Sequence, residues 1–309
     1  MEAAPCVRLV ADPPSGLSES AVCRGDAATV LRSLAPDFFQ CCITSPPYWG
    51  LRDYGIEGQV GAEEDPDDYV VRLTEVFEQV RRVLRPDGTL WLNVGDSYTS
   101  GNRAYRAPDK KHPVREMRCR PRTPRGLKEK ELVGVPWRLA FSLQDCGWYL
   151  RADIIWDKPN CMPESVKDRP TRAHEYLFLF SKSPNYLYNA DAIREFNGRN
   201  RRSVWSVPTE PFRGAHFATF PLQLIEPCVL AGAPPASWVL DPFFGSGTVG
   251  VACVRQHRKY FGIELNPAYV EMALARIRET SSFCSRSAPE SSWAASERQS
   301  PTCRQACRD

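Results

Sequence analysis

Several classes of protein are excluded by what this sequence lacks. No run of 18 apolar residues occurs, so the sequence predicts no membrane-spanning helix. Its twelve cysteines are scattered over 309 residues without a Cys-x-x-Cys pair, and its four histidines lie far apart, so the spacing of a zinc site is missing and we expect no metal. The first residues do not combine a basic start with an apolar stretch. We therefore expect no secretory signal and a reducing, cytoplasmic compartment.

The positive charge of the chain is concentrated in one segment. The net charge is only +3, yet the stretch from Arg103 to Lys130 holds eleven Lys and Arg against three Asp and Glu, a local balance of +8. With four prolines and no apolar period, this stretch predicts a loop. A charge run alone is best interpreted as a solvated insertion. It becomes a candidate for binding a polyanion only if chemistry directed at nucleic acid is found elsewhere in the chain.

Strand and helix patterns alternate along the chain. Unbroken apolar runs such as 38–44 predict buried strands, and the apolar residues that follow Asp67 and Asp68 recur with the period of a helix capped by these acids. This alternation predicts an α/β fold with a mostly parallel sheet and helices on both faces, forming one domain over residues 1–279. The serine-rich segment 280–309 predicts a disordered tail.

A glycine-rich turn lies between a predicted strand and a predicted helix in the second half of the chain. Residues 241–250 read DPFFGSGTVG, and Glu264 follows Gly245 by nineteen positions. Such glycines let the backbone approach a ligand, and an acid at this distance accepts hydrogen bonds from ribose hydroxyls, as in dinucleotide sites. Asp241, ahead of the glycines, would however repel a phosphate. The pattern therefore favours a ligand with a ribose and a positive end, such as S-adenosylmethionine.

A second motif, TSPPY at residues 44–48, ends a predicted strand at the edge of the sheet where α/β folds bind ligands. An exocyclic amine of a base is conjugated with its ring, and acceptors aimed at its N–H groups would free its lone pair. The Ser45 hydroxyl and the Pro46 carbonyl can be these acceptors, because proline holds its backbone rigidly. Tyr48 offers an aromatic face to a flipped base. The alternative interpretation is a stiff surface turn.

Together, the two motifs resemble those of the SPPY-type, N4-cytosine-specific, amino-methylating DNA methyltransferases. The resemblance covers roughly residues 22–279, and the SPPY motif precedes the glycine motif by about 200 residues, as in the circularly permuted β class. It implies a Rossmann-like, S-adenosylmethionine-dependent methyltransferase fold. A basic loop at 100–131 and a target-recognition segment at 160–214 would be inserted into this domain.

The resemblance also assigns roles to individual residues. The catalytic residues would be Ser45, Pro46, Pro47 and Tyr48. The residues that bind S-adenosylmethionine would be Asp26, His216, Phe220, Pro221, Asp241, Phe243, Gly245, Ser246, Gly247, Thr248 and Glu264. Within this set, the glycine motif would hold the methionine side of the cofactor, Glu264 the ribose and Asp26 the edge of the adenine.

The expected reaction is site-specific methylation of the N4 amine of cytosine in double-stranded DNA, with the base flipped out and no covalent intermediate. Methylation of N6 of adenine is the alternative within the same class of enzyme. A nucleotide-binding oxidoreductase would leave the SPPY motif unexplained, and a non-catalytic DNA-binding protein would use the basic loop alone. The resemblance also allows a cognate restriction endonuclease as a partner. Arg169, Arg172 and His174 would face either DNA phosphates or solvent.

Overall fold

The computed structural model describes residues 8–10, 17, 19–51, 56–99, 123–124, 126–210 and 220–287. Within these ranges the strands are β1 (Arg8–Val10), β2 (Ala21–Arg24), β3 (Phe39–Thr44), β4 (Leu84–Val94), β5 (Tyr149–Asp157), β6 (His174–Ser181), β7 (Val204–Ser206), β8 (Trp238–Asp241) and β9 (Lys259–Glu264). The α-helices are α1 (Ala27–Ser33), α2 (Pro66–Val83), α3 (Val135–Asp145), α4 (Leu222–Gly232), α5 (Thr248–Arg255) and α6 (Pro267–Ser287).

The strands form one sheet in the order β1-β2-β9-β8-β3-β4-β6-β5-β7. The first six strands in this order are parallel to one another, whereas β6 runs antiparallel to both of its neighbours. Strand β6 follows β5 directly along the chain, so the two can pair antiparallel without a helical crossover. The predicted α/β fold with a mostly parallel sheet is confirmed.

Helices cover the sheet on both faces because its central strands are apolar on both sides. All six residues of β3 are buried. Cys42 joins the core that packs against α1, α2 and α3, whereas Cys41 and Ile43 join the core that packs against α4, α5 and α6. Successive side chains of a strand point to opposite faces, so one short apolar run contributes to both cores.

Two predictions about helix ends were wrong. Helix α2 begins one residue after Asp65, whose side chain accepts a hydrogen bond from the Asp67 backbone N–H, so Asp65 is the cap instead of Asp67 and Asp68. Pro66 at the first helical position suits this start because it has no N–H that would need a partner.

The C-terminal helix is also longer than the sequence predicted. Residues 280–287, expected in a disordered tail, continue α6. Ser281 is buried, so the helix continues to pack against the domain beyond residue 279, and the Thr280 hydroxyl donates to the Arg276 carbonyl one turn earlier. The remainder of the predicted tail, 288–309, lies outside the described residues, as does most of the predicted basic loop, 100–122 and 125.

The sheet order brings the two sequence motifs together although they are far apart along the chain. Strand β3 pairs in parallel with β8, with Cys42 opposite Leu240, and β8 pairs in parallel with β9. On the other side of β9, Arg24 of β2 lies opposite Glu264. The carboxyl ends of four adjacent parallel strands therefore meet at one edge, which is where ligands bind in open α/β sheets.

Candidate functional site

A cavity of about 190 Å³ opens at this edge of the sheet. Its wall contains eleven of the fifteen residues that the sequence nominated, namely Asp26, Ser45, Pro46, Pro47, Tyr48, Phe220, Phe243, Gly245, Ser246, Thr248 and Glu264. Pro221, Asp241 and Gly247 lie outside that wall, and His216 falls outside the described residues. Sequence reasoning missed the apolar part of the wall, which includes Ile263, Leu265 and Tyr269.

Glu264 joins the loops that follow β8 and β9. Its Oε2 accepts a hydrogen bond from the Gly245 backbone N–H and its Oε1 accepts one from the Asn266 backbone N–H, both at 2.7 Å. Burial raises the pKa of this carboxyl, and the two N–H groups partly offset that effect. Each carboxylate oxygen has a second lone pair, so Glu264 can hold these loops and also accept ribose hydroxyls.

Asp241 lies beneath the cavity wall. It is 1% exposed, and its Oδ1 accepts hydrogen bonds from the Thr44 hydroxyl at 2.7 Å and the Phe243 backbone N–H at 3.1 Å. The carboxylate thus connects the end of β3, where the SPPY motif begins, to the first turn of the glycine loop. Burial raises its pKa to about 7, despite the two hydrogen bonds that favour the charged form.

Gly245 and Gly247 of the loop both adopt a backbone conformation that favours glycine, and Gly247 also allows a close helix contact. Both have positive φ, 51° at Gly245 and 78° at Gly247, a region that disfavours residues with a Cβ. A Cβ at Gly247 would also lie 2.9 Å from the Ala273 Cβ, so Gly247 permits α6 to approach the loop. Arg276 of α6, which the sequence did not nominate, donates to the Ser246 and Thr248 hydroxyls. This guanidinium therefore orients two hydroxyls of the cavity wall.

The chemistry of the wall fits S-adenosylmethionine. Glu264 offers acceptors for ribose hydroxyls, and Phe243, Ile263 and Leu265 form an apolar surface suited to an adenine ring. Asp26 caps α1, accepting from the Thr29 backbone N–H at 2.9 Å through Oδ1. Its second carboxylate oxygen is thereby available at the cavity to accept from the adenine amine.

The SPPY motif is held rigidly at the end of β3. The Pro47 carbonyl accepts a hydrogen bond from the Tyr69 hydroxyl of α2 at 2.8 Å. Among the residues that the structure describes, none donates to the Pro46 carbonyl, and Pro46 lines the cavity. The Pro46 carbonyl is therefore not occupied by a donor from the described residues, and Pro46 lies beside Ser45 in the cavity wall.

Tyr48 is fixed at both its ring and its hydroxyl. A Cβ at position 95 would lie 2.6 Å from the Tyr48 Cε2, so only Gly95 lets the ring approach the backbone this closely. The hydroxyl donates to the Glu175 Oε2 at 2.7 Å, lies 3.1 Å from the Asn93 Oδ1, and accepts from Ser45 at 3.4 Å. Asn93 could have been suspected from sequence, since it is a polar residue within the apolar run 90–94, whereas Glu175 carries no such signal.

Arg169 and Arg172, for which DNA phosphates or solvent were the two expectations, both contact carboxylates. Arg169 pairs with Glu164 at 2.7 Å, and Arg172 lies 3.6 Å from the buried Asp96. Burial, followed by the Arg172 charge, lowers the pKa of His174 and so favours its neutral form. Both arginines therefore form ion pairs within the protein, Arg169 with Glu164 and Arg172 with Asp96.

In the described ranges, no three His, Cys, Asp or Glu side chains are grouped so that they could hold a metal ion. Within the same ranges, none of the helices has the length and apolar character needed to cross a bilayer.

The fold and the cavity define an S-adenosylmethionine-dependent methyltransferase. Residues 39–275 match the family described as N6/N4 DNA methylase, and the chain belongs to that family. It is thus a DNA methyltransferase that uses S-adenosylmethionine as the methyl donor. This membership sets aside the oxidoreductase and the non-catalytic DNA-binding protein.

Three relatives with similar sequences are also methyltransferases by name. The chain is 58% identical over 275 residues to the type II methyltransferase M.Cfr9I of Citrobacter freundii, covering 88% of this chain and 92% of that protein. It is 60% identical to M.XycI of Xanthomonas campestris pv. cyanopsidis with the same coverage, and 55% identical to M.SmaI of Serratia marcescens over 85% of this chain and 92% of that protein. All three carry the name type II methyltransferase.

Solved structures share the fold. The PvuII DNA methyltransferase (cytosine-N4-specific) superposes with a TM-score of 0.64 at 20% identity, covering 84% of this chain and 90% of that one. TTHA0409 from Thermus thermophilus, solved in complex with S-adenosyl-L-methionine, has a TM-score of 0.60 at 25% identity, covering 84% of this chain and 95% of that one.

Glu264→Gln is expected to weaken S-adenosylmethionine binding about 10-fold, because glutamine has one acceptor oxygen where two backbone N–H groups and the ribose need acceptors. Isothermal titration calorimetry measures this directly. Glu226→Gln is the matched control, since Glu226 pairs with Arg255 on the surface of α4. If Glu264→Gln bound S-adenosylmethionine with unchanged affinity, Glu264 would not be a cofactor-binding residue.

Proposed function

We propose that this chain transfers a methyl group from S-adenosylmethionine to the N4 amine of cytosine in double-stranded DNA. The observation that carries the proposal is the pair of acceptors at the end of β3, the Ser45 hydroxyl and the Pro46 carbonyl, at the cavity that fits the cofactor. When bound, S-adenosylmethionine supplies an electrophilic methyl group on a positively charged sulfur.

The roles of the chain's own residues follow from the chemistry of an exocyclic amine. Ser45 and Pro46 accept hydrogen bonds from the two N–H groups, which draws the nitrogen toward tetrahedral geometry and frees its lone pair. The ring of Tyr48, held against Gly95, stacks on the base once it has left the duplex. These groups orient the amine, so most of the rate enhancement comes from positioning.

The choice of cytosine over adenine rests on the neutral residue at the first motif position. In cytosine a ring nitrogen with a lone pair, N3, lies beside the amine, and a carboxylate there would be repelled by it whereas a hydroxyl would not. Adenine has N1 in a similar arrangement, so this argument favours cytosine mildly. The PvuII DNA methyltransferase, whose fold the chain shares, is cytosine-N4-specific, which supports the same choice.

Contacts with DNA outside the cavity are assigned by the same proposal. The basic loop 100–131 would contact phosphates without regard to sequence, and the segment 160–214 would contact the edges of the bases. A restriction endonuclease directed at the same DNA site would be the cognate partner, since the relatives are type II methyltransferases.

The product identifies the base. Purified protein with isotope-labelled S-adenosylmethionine is expected to place the label in N4-methylcytosine, detected by mass spectrometry of nucleosides digested from unmethylated DNA. Ser45→Ala is expected to lower turnover about 10- to 100-fold while cofactor affinity stays within 2-fold, because the lost acceptor acts on the amine alone.

The choice of base and the role of Ser45 can fail independently of each other. N6-methyladenine as the sole labelled product would overturn the choice of cytosine and leave the roles of Ser45 and Pro46 intact. Loss of cofactor binding in Ser45→Ala would instead show that Ser45 belongs to the cofactor site.

A further inference from the structure

A chain of hydrogen bonds extends from Ser45 away from the cavity. Ser45 Oγ donates to Tyr48 Oη at 3.4 Å, and Tyr48 Oη donates to Glu175 Oε2 at 2.7 Å. Lys158 Nζ forms an ion pair with the other oxygen of Glu175. The Lys158 and Glu175 side chains are only 16% and 17% exposed, so water competes little for these contacts.

The direction of this chain is determined by the groups at its far end. The Tyr48 hydroxyl has two acceptors, Glu175 Oε2 at 2.7 Å and Asn93 Oδ1 at 3.1 Å, and neither oxygen can donate. Its single hydrogen is therefore directed at these two oxygens, with Glu175 the nearer, and a lone pair faces Ser45. The Asn93 Nδ2 donates to the Tyr176 carbonyl at 3.1 Å and also lies 3.3 Å from Glu175, so it faces the same carboxylate as a donor. Burial and the negative charge of Glu175 raise the pKa of Tyr48 well above its usual value, which keeps the phenol protonated and therefore a donor.

This direction decides what Ser45 offers to a substrate. Because Tyr48 presents a lone pair to Ser45, the Ser45 hydrogen is directed at Tyr48 and not into the cavity. Ser45 lines the cavity, so with its hydrogen directed at Tyr48 it has only lone pairs to offer a ligand there. A hydroxyl with free rotation would donate as readily as it accepts.

We propose that Glu175, held by Lys158, is a positioning residue that makes Ser45 an obligate hydrogen-bond acceptor and thereby selects an exocyclic amine over a carbonyl oxygen. The inference rests on the proposed function only in that Ser45 receives the amine, and it applies equally to the amine of cytosine or of adenine. A pyrimidine with a carbonyl at the same ring position, such as thymine, would meet lone pair against lone pair and be rejected.

The test is a double-mutant cycle on turnover with unmethylated plasmid DNA and labelled S-adenosylmethionine. Tyr48→Phe keeps the ring for stacking and removes the hydroxyl that links Glu175 to Ser45. We expect Tyr48→Phe and Glu175→Gln each to lower kcat about 10-fold with KM for DNA within 2-fold, and the double variant to be no slower than the slower single variant. Arg151→Gln, at an exposed position of β5, the strand that ends one residue before Lys158, is the control that leaves turnover unchanged.

Two further readouts separate positioning from simple loss of structure. S-adenosylmethionine affinity and the melting temperature should stay near the wild-type values in Tyr48→Phe, and 2-aminopurine fluorescence should still report a flipped base. If Glu175→Gln does not fold, the cycle of Ser45→Ala with Tyr48→Phe serves instead, with the double variant expected to match Ser45→Ala alone.

If the two substitutions in either cycle lowered kcat multiplicatively, the inference would be overturned. Residues that act through the same series of hydrogen bonds should not have independent effects on kcat. Unchanged kcat in Glu175→Gln would overturn it as well. A product other than N4-methylcytosine would contradict only the base assignment, so the failure of one proposal is distinguishable from the failure of the other.

Discussion

Replacing Asp241 with asparagine is expected to stabilise the protein and to weaken S-adenosylmethionine binding at the same time. Asparagine keeps an oxygen for the Thr44 hydroxyl and the Phe243 N–H but removes a charge whose pKa burial raises from 3.8 to about 7. Because the folded pKa is above the unfolded one, the stability linked to Asp241 protonation is present below pH 3.8 and is lost as the pH rises to about 7. A shift of this size corresponds to at most about 4 kcal/mol, all of it lost above about pH 7.

Thermal or urea unfolding near pH 5.5 and near pH 8 measures the stability effect. The advantage of Asp241→Asn over the wild type should grow by about 2 kcal/mol between the two conditions, since the wild type becomes less stable across that window. Asp241→Ala, which loses both accepted hydrogen bonds, is the matched control and should be destabilised. An advantage that shrinks toward pH 8 would contradict a raised pKa.

Cofactor binding should respond in the opposite direction. A negative charge beneath the Phe243 turn would attract the ammonium and sulfonium of a bound S-adenosylmethionine, because a poorly solvated charge is only weakly screened. Asp241→Asn is therefore expected to weaken binding about 10- to 100-fold at pH 8, and wild-type affinity should rise with pH through about 7. Equal affinities of the wild type and Asp241→Asn, measured by calorimetry, would limit Asp241 to a structural role.

Gly262→Ala is expected to cause a large loss of stability together with a loss of cofactor affinity. Gly262 lies in β9 opposite Asp241, and a Cβ at this position would overlap the ring of Phe244. Phe244 is 3% exposed, stacks on Tyr260 with ring centroids 5.8 Å apart, and donates its N–H to the Ile263 carbonyl. Overpacking here should reduce stability by about 3 kcal/mol, and the melting temperature by roughly 5–10 °C.

A second substitution tests whether the clash is the cause. Phe244→Leu makes room for the new methyl group, so Gly262→Ala with Phe244→Leu should be more stable than the sum of the single effects predicts. Calorimetric melting of the four proteins measures this coupling. If Gly262→Ala had the same melting temperature as the wild type, Phe244 would be able to move aside freely, and the packing argument would be wrong.

The parts of the site that could be predicted from sequence are those that local chemistry marks. Consecutive prolines stop a strand at Pro46, and the glycines at 245 and 247 interrupt a strand-to-helix passage, so both turns are visible without any tertiary information. The spacing to Glu264 follows from the length of one helix and one strand. Short elements held by partners elsewhere, such as β1, β2 and β7, have too few residues to show a period.

Contacts between distant segments gave no local signal. The sequence nominated Asp241 for the cofactor site but gave no sign that the fold would bury it beneath the cavity wall, where it accepts a hydrogen bond from Thr44 of the adjacent strand. Arg276 reaches the glycine loop from a helix 28 residues along the chain. Side chains of this kind look like ordinary surface charges until the elements that carry them are packed.

The sequence by itself determined the class of fold, the cofactor and the position of the two motifs, because apolar period, proline and glycine act on the backbone within a few residues of themselves. Only the tertiary structure decided how the motif residues are held. Strand order set Ser45 and Glu264 at one edge, and the antiparallel return of β6 brought Glu175 to Tyr48, 127 residues earlier in the chain. The direction of a hydrogen bond depends on all the donors and acceptors around it, and those meet only when the chain is folded.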